Sequence, residues 1–259
     1  MYSKRGQVTL FVIIAIIIVA LVLLGIFLGP KIFKPKSEPF DISNPDVYIS
    51  SCIQDPLKEK VEEISPQSGY EETENCIVYE GKCRRYLCYQ SQYYAACINQ
   101  EPQLQQYVEN LLKKYLERTN TVSRCITNFV EAAKRKGYEV QACQNPTFSV
   151  NLTERFVLVP INCKITMNKD NQPKTYENLI PSLQWPLYDF IEASQQIIDD
   201  EITNKDFDPM SYMINHYWVE IQKYSTSNGD EIFVLTERNN PEHEFTFAIR
   251  NYPLPPGIL

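Results

Sequence analysis

From Val8 to Leu28 the chain carries no charged side chain, and Thr9 is the only polar one. As a helix rising ~1.5 Å per residue, this run reaches about 31 Å, the thickness of the hydrocarbon core of a bilayer. Backbone amides in lipid must find partners within their own segment, so the pattern predicts a transmembrane helix over residues 7–29. Residues 30–45 read as a linker, because Pro30, Pro35, Pro39 and Pro45 interrupt regular structure. A long polar stretch, residues 46–252, reads as an α+β domain, and residues 253–259 form a proline-rich extended tail.

Within that domain the apolar spacing is helical first and strand-like later. Asn44-Pro45 has the form of a helix cap, and Tyr48, Cys52, Leu57, Val61 and Ile64 follow near helical spacing, with a kink expected at Pro56. Residues 71–100 show no period and read as an irregular insert rich in Cys and Tyr. After Pro102, Leu104, Tyr107, Val108, Leu111, Leu112, Tyr115 and Leu116 make an amphipathic stripe. A second helix puts Val122, Cys125, Ile126, Phe129 and Ala133 on one face and stops at Gly137. Short alternating runs from Tyr138 to Asn178 predict an antiparallel meander. Trp185-Pro186 opens another helix, a short one follows near 208–215, and three strands close the domain, the first two joined at Asn228-Gly229. The predicted fold is a helical hairpin packed on an antiparallel sheet.

Charge narrows the partners. Beyond Lys36 there are 20 basic residues against 32 acidic ones. That balance excludes a nucleic-acid footprint, which needs a basic face. Lys31, Lys34 and Lys36 follow the apolar run and are expected to lie against lipid headgroups.

All eight cysteines, Cys52, Cys76, Cys83, Cys88, Cys97, Cys125, Cys143 and Cys163, lie beyond the apolar run. No Cys-x-x-Cys pair occurs and the spacings fit no common zinc pattern, so they read as disulfides in an oxidising compartment rather than as a metal site. This orients the chain: single-pass in the cell membrane, with the large C-terminal part outside. Helix phase turns Cys125 toward the core, where the first helix presents Cys52, which predicts a Cys52–Cys125 bridge. Cys143 and Cys163 form a second plausible pair. The other four remain open.

The apolar core is too long for a secretory signal peptide and no small-residue cleavage site follows it. Instead Lys4-Arg5-Gly6-Gln7 precedes it, a junction that resembles the class III signal peptides of archaeal type IV pilins. The resemblance implies cleavage between Gly6 and Gln7, making residues 1–6 a leader; the other reading is an uncleaved anchor. Bacterial-type pilins carry Glu at the fifth mature position, where this chain has Phe11. More widely, the Lys-Arg-Gly-Gln-Val-Thr start, Ser51-Cys52-Ile53, Ser68-Gly69-Tyr70, Arg124-Cys125-Ile126, Val157–Ile165 and Phe247-Ala248-Ile249-Arg250 resemble an uncharacterised membrane-anchored surface family of small-genome archaea. That resemblance implies architecture and location, not chemistry.

Catalytic signatures are missing from the sequence: it holds no Gly-x-Ser-x-Gly, His-Glu-x-x-His or phosphate-binding loop. His216 is expected to pack beside Trp218, and His243 to lie exposed at a strand edge. Asp199-Asp200-Glu201 and Asp206-x-Asp208 read as a solvated acidic face rather than a calcium loop. No catalytic, cofactor or metal residue is predicted. Asn151-Leu152-Thr153 is a glycosylation sequon at Asn151. Tyr86, Tyr89, Tyr93 and Tyr94 with Arg84 and Arg85 are a candidate contact surface, since Tyr and Arg favour interfaces, although aromatics covering a stapled loop explain them as well. The expected function is a non-enzymatic surface protein, either a pilin-like subunit that self-assembles or a module that binds a protein partner. The alternative is an extracytoplasmic sensor or ligand-binding module, for which a cleft between helices and sheet would be the sign.

Overall fold

A computed structural model describes residues 42–71, 74–92 and 94–252. The apolar run, Gly6 and Gln7, nearly all of the linker, Tyr93 and the tail lie outside the described residues. Among the described residues no helix is long and apolar enough to cross a membrane.

The first helix, α1 (Pro45–Ile64), starts where the sequence places it. Asn44 accepts from the Asp46 amide at 3.1 Å and proline occupies the first turn, a position with no amide bond to lose. The helix continues through Pro56. Its inner face buries Ile49, Ile53, Leu57, Val61 and Ile64. Ser68 and Gly69, both at positive φ, then turn the chain sharply. A β-carbon on Gly69 would lie 2.8 Å from Val108, and Ser68 Oγ donates to the Thr246 carbonyl at 2.9 Å. This corner therefore fastens the start of the domain to its last strand.

The segment expected to be irregular is instead a hairpin. β1 (Cys76–Tyr79) and β2 (Lys82–Tyr89) pair antiparallel across Glu80-Gly81, both at positive φ as a two-residue hairpin turn requires. Cys76–Cys83 staples this hairpin, and Cys88–Cys97 ties it to β3 (Ile98–Asn99). The helical hairpin follows as α2 (Leu104–Arg118) and α3 (Thr121–Arg135), burying Leu104, Val108, Leu112 and Leu116 on one and Val122, Cys125, Ile126, Phe129 and Ala133 on the other.

The predicted meander divides into small separate sheets. β4 (Glu139–Ala142) pairs with β9 (Ile165–Lys169), which pairs with β10 (Gln172–Tyr176). β5 (Thr147–Phe148) pairs with β8 (Ile161–Asn162), while β6 (Asn151–Thr153), β7 (Phe156–Leu158) and β11 (Ser182–Gln184) form another three-stranded sheet. Helices α4 (Leu187–Thr203) and α5 (Pro209–Asn215) lead into β12 (Val219–Ser225), β13 (Glu231–Glu237) and β14 (Asn240–Arg250). The main sheet runs β1-β2-β14-β13-β12, with β3 also on β2. It is not wholly antiparallel: β14 pairs parallel with β2, setting Ala248 against Tyr86 and Arg250 against Tyr89.

One hydrophobic core runs between helices and sheets. α1 packs on α3 and β11, and α4 covers β6, β7 and β14. Phe233, Phe245 and Phe247 are fully buried at its centre, with Phe190 stacked on Phe245. All eight cysteines are joined: Cys52–Cys125, Cys76–Cys83, Cys88–Cys97 and Cys143–Cys163. Bridges of this number belong to an oxidising environment.

Candidate functional site

A cleft of about 500 Å³ opens where α1, the β6–β7 turn, the end of β11 and the β13–β14 turn converge. Its floor is Trp185, buried between strand β11 and helix α4. The β6–β7 turn is clamped to it: the Trp185 amide donates to the Arg155 carbonyl at 3.0 Å, and the Arg155 amide donates to Asp189 Oδ2 at 2.9 Å. Arg155 sits at φ 60°, which points its side chain across the cleft to Glu237.

Glu237 and His243 face each other across the β13–β14 turn, where the register shifts by a bulge after Thr236. His243 Nδ1 lies 2.7 Å from Glu237 Oε2, and Asn240 Nδ2 lies 3.0 Å from His243 Nε2. The arrangement assigns the proton to Nδ1, which donates to the carboxylate, while Nε2 accepts from the amide. Arg155 Nη1 completes the chain at 3.3 Å from the other Glu237 oxygen, and the imidazole lies on the Trp185 ring with centroids 3.9 Å apart. From α1, Gln54 and Lys58 form the opposite wall, with Gln54 Nε2 donating to the Ser182 carbonyl at 2.7 Å. The indole nitrogen of Trp185 is buried and finds no acceptor among the described residues.

The expectation of an exposed His243 is thus corrected: it is 8% exposed. Flanking Glu242 and Glu244 suggested solvent, but His243 shares its strand parity with Phe245, Phe247 and Ile249, and that period of two turns it inward. Asn240 thus occupies the His243 nitrogen that is free of the carboxylate. The residues around the cleft also include no Ser, Thr or Cys as a nucleophile. The cleft presents a charged rim over an aromatic floor. No family model, curated protein or solved structure matches the chain. Chemistry is therefore argued from the residues alone.

A second polar cluster sits at the far end of α4. Lys223 Nζ lies 3.1 Å from Glu201, 2.5 Å from Asp206 and 3.0 Å from Glu231. The three carboxylates offer oxygens within 4.8 Å of one another, a spacing a cation could share. The lysine ammonium already takes that place. Glu201 is not part of a solvated face, as its sequence context suggested: it is buried and accepts from the Phe207 amide at 3.0 Å. Burial first, then the Glu201 carboxylate, pushes Glu231 up to about 7, against the pull of Lys223.

Because folded Glu231 holds its proton more tightly than the unfolded chain does, the native state binds more protons between about pH 4.5 and 7. Stability from this group is complete below that interval and lost as pH rises through it. Glu231→Gln removes the dependence, leaving a urea midpoint flatter over the interval than that of the native chain by an equivalent of roughly 1–3 kcal/mol. Parallel slopes for the two proteins would sink this account.

The predicted contact surface is only partly accessible. Arg84 is buried, donating to the Pro66 carbonyl, and Tyr86 is buried with its hydroxyl donating to Asp230 at 2.9 Å. Neither can form an outer face; strand β2, within the main sheet, turns Arg84 toward Pro66 and Tyr86 toward Asp230. Tyr89 is half-buried beneath Arg250, Arg85 lies over the Tyr70 ring at 3.9 Å, and Tyr94 is 58% exposed. His216 stacks on Tyr212 with centroids 4.0 Å apart, while Trp218 packs against Phe190 instead. Asn151 is exposed on β6 at the edge of its sheet.

Proposed function

We propose that this chain is a non-enzymatic, membrane-anchored cell-surface protein whose disulfide-braced α+β domain lies outside the membrane and makes protein contacts, as a pilin-like subunit or an adhesion module. The observation that carries the reading is the complete pairing of eight cysteines in four bridges, one closing the β1–β2 hairpin and one tying β2 to the segment before β3. Covalent staples of that kind suit a domain exposed to proteases and mechanical load. The apolar run from Val8 to Leu28 supplies the anchor in this reading. Gly6-Gln7 supplies a processing junction.

Intact mass with and without reductant, joined to proteolysis of whole cells, tests it. The expected outcome is a domain cut by external protease, a gain of eight protons on reduction, and an amino terminus at Gln7 for the pilin-like version. Protection from external protease overturns the surface reading, and retention of Met1 with no filaments overturns the filament version.

A second reading, an extracytoplasmic ligand-binding module, is favoured by the Trp185 cleft, where polar side chains from helix and strands converge. Native mass spectrometry of the purified chain decides it: a retained small molecule supports this reading, and a bare protein counts against it.

A further inference from the structure

We propose that the Trp185 cleft is a saccharide-binding site, in which the side chains of Gln54, Gln184, Asn239 and Asn240 bind the hydroxyls of a neutral sugar. It rests on the ligand-binding reading of the cleft and adds the class of ligand.

The side chains select first. These four carboxamides reach the cleft from α1, from the end of β11 and from the β13–β14 junction. A carboxamide holds an acceptor oxygen and two N–H donors in one plane. A sugar hydroxyl both donates and accepts, so neighbouring hydroxyls on a ring match that edge with paired hydrogen bonds. Two of the four are fixed in place by the protein itself: Gln54 Nε2 donates to the Ser182 carbonyl, and Asn240 Nδ2 donates to His243 Nε2. Each contact uses one amide hydrogen and leaves the side-chain oxygen open. Gln184 and Asn239 are exposed, and their side chains make no hydrogen bond among the described residues.

Charge and polarity then narrow the ligand. Arg155 lies 3.3 Å from Glu237, and Lys58 lies 3.6 Å from Glu62 on the same helix, so each cation of the cleft already has a carboxylate. An anion would have to displace one of these pairs. The apolar side chains, Leu183 and Trp185, are both buried, and His243 lies on the Trp185 ring. An apolar ligand therefore finds little open wall. A neutral molecule covered in hydroxyls meets neither obstacle.

The floor adds a donor. The indole N–H of Trp185 is buried without an acceptor among the described residues. A hydroxyl seated on the floor, directly or through one water, would supply it. The cleft volume of about 500 Å³ lies within the roughly 300–1,000 Å³ of small-molecule sites. Its walls are set before a ligand arrives, since the Trp185 amide and Asp189 hold the Arg155 backbone from both sides.

The full chain, reconstituted into phosphatidylcholine nanodiscs, is applied to an array of neutral and acidic oligosaccharides, and each binder is then titrated by calorimetry. Neutral saccharides are expected to bind, with the same affinity in low and high salt. The double variant Gln184→Ala with Asn239→Ala removes two exposed side chains that bear no internal hydrogen bond, so its melting temperature is expected to stay that of the native chain. Its affinity is expected to fall about tenfold, the loss of one or two neutral hydrogen bonds. Binding of acidic saccharides alone, weakened by salt, overturns the neutral class while leaving the cleft a ligand site. Binding that the double variant leaves unchanged places the sugar elsewhere and overturns the proposal as well. If no saccharide of either kind binds, the proposal fails, and the ligand-binding reading is decided separately by the small molecule that native mass spectrometry finds or does not find.

Discussion

Replacing Cys52 and Cys125 together by alanine lowers the unfolding free energy by about 4 kcal/mol, the chain-entropy value for closing a loop of this length. The bridge joins α1 to α3 across 73 residues, the longest span of the four, and Cys125 is fully buried. Its removal frees the unfolded chain and also leaves two helices held by apolar contact alone. For a domain of this size the melting temperature falls by roughly 8–16 °C. The comparison that isolates the cause is Cys76 with Cys83, only seven residues apart within one hairpin. Its loop entropy is smaller, on the order of 2.5 kcal/mol. Calorimetry of the two double variants decides the matter: equal losses would mean that loop length is not what the bridges contribute.

The second large effect is at Trp185. Truncation to alanine costs ~3–5 kcal/mol, because a fully buried indole leaves a cavity its rigid neighbours cannot fill. The stack under His243 goes with it, and the Glu237–His243–Asn240 chain loses the surface that fixes its plane. Trp185→Phe keeps most of the volume and removes the unpartnered indole nitrogen, so it is expected to retain most of the stability. Urea unfolding of the two variants checks this. A loss under about 1 kcal/mol for the alanine variant would show that the site collapses and that Trp185 is not its floor.

The long periodic helices were legible because their period repeats over three or more turns. Leu104 to Leu116 and Val122 to Ala133 each mark a buried face, and the same phase turns Cys125 toward Cys52. Features that depend on distant pairing left no local trace. Nothing near Tyr86 announces that its strand will lie parallel to Ala248. The Cys76–Tyr89 hairpin escaped because its turn is Glu80-Gly81, a less familiar dipeptide than Asn-Gly, inside a stretch whose cysteines and tyrosines mask alternation. The Trp185 cleft draws its walls from four separate stretches of chain, so no single window contains it. His243 is the exception: the parity it shares with Phe245 and Phe247 was readable, and its charged neighbours concealed it.

The parallel pairing of β2 with β14 also sets an order of assembly. Gln90 and Tyr252, bonded to each other in the finished domain, are 162 residues apart. A chain emerging from its amino end can close the Cys76–Cys83 and Cys88–Cys97 loops early, yet the strand that seats that hairpin arrives last. Until then β2 presents an unsatisfied edge, the kind of surface that recruits strands from other chains. Folding of this protein thus has a vulnerable interval as long as the time needed to deliver its final strand, and a truncation before Arg250 would make that interval permanent.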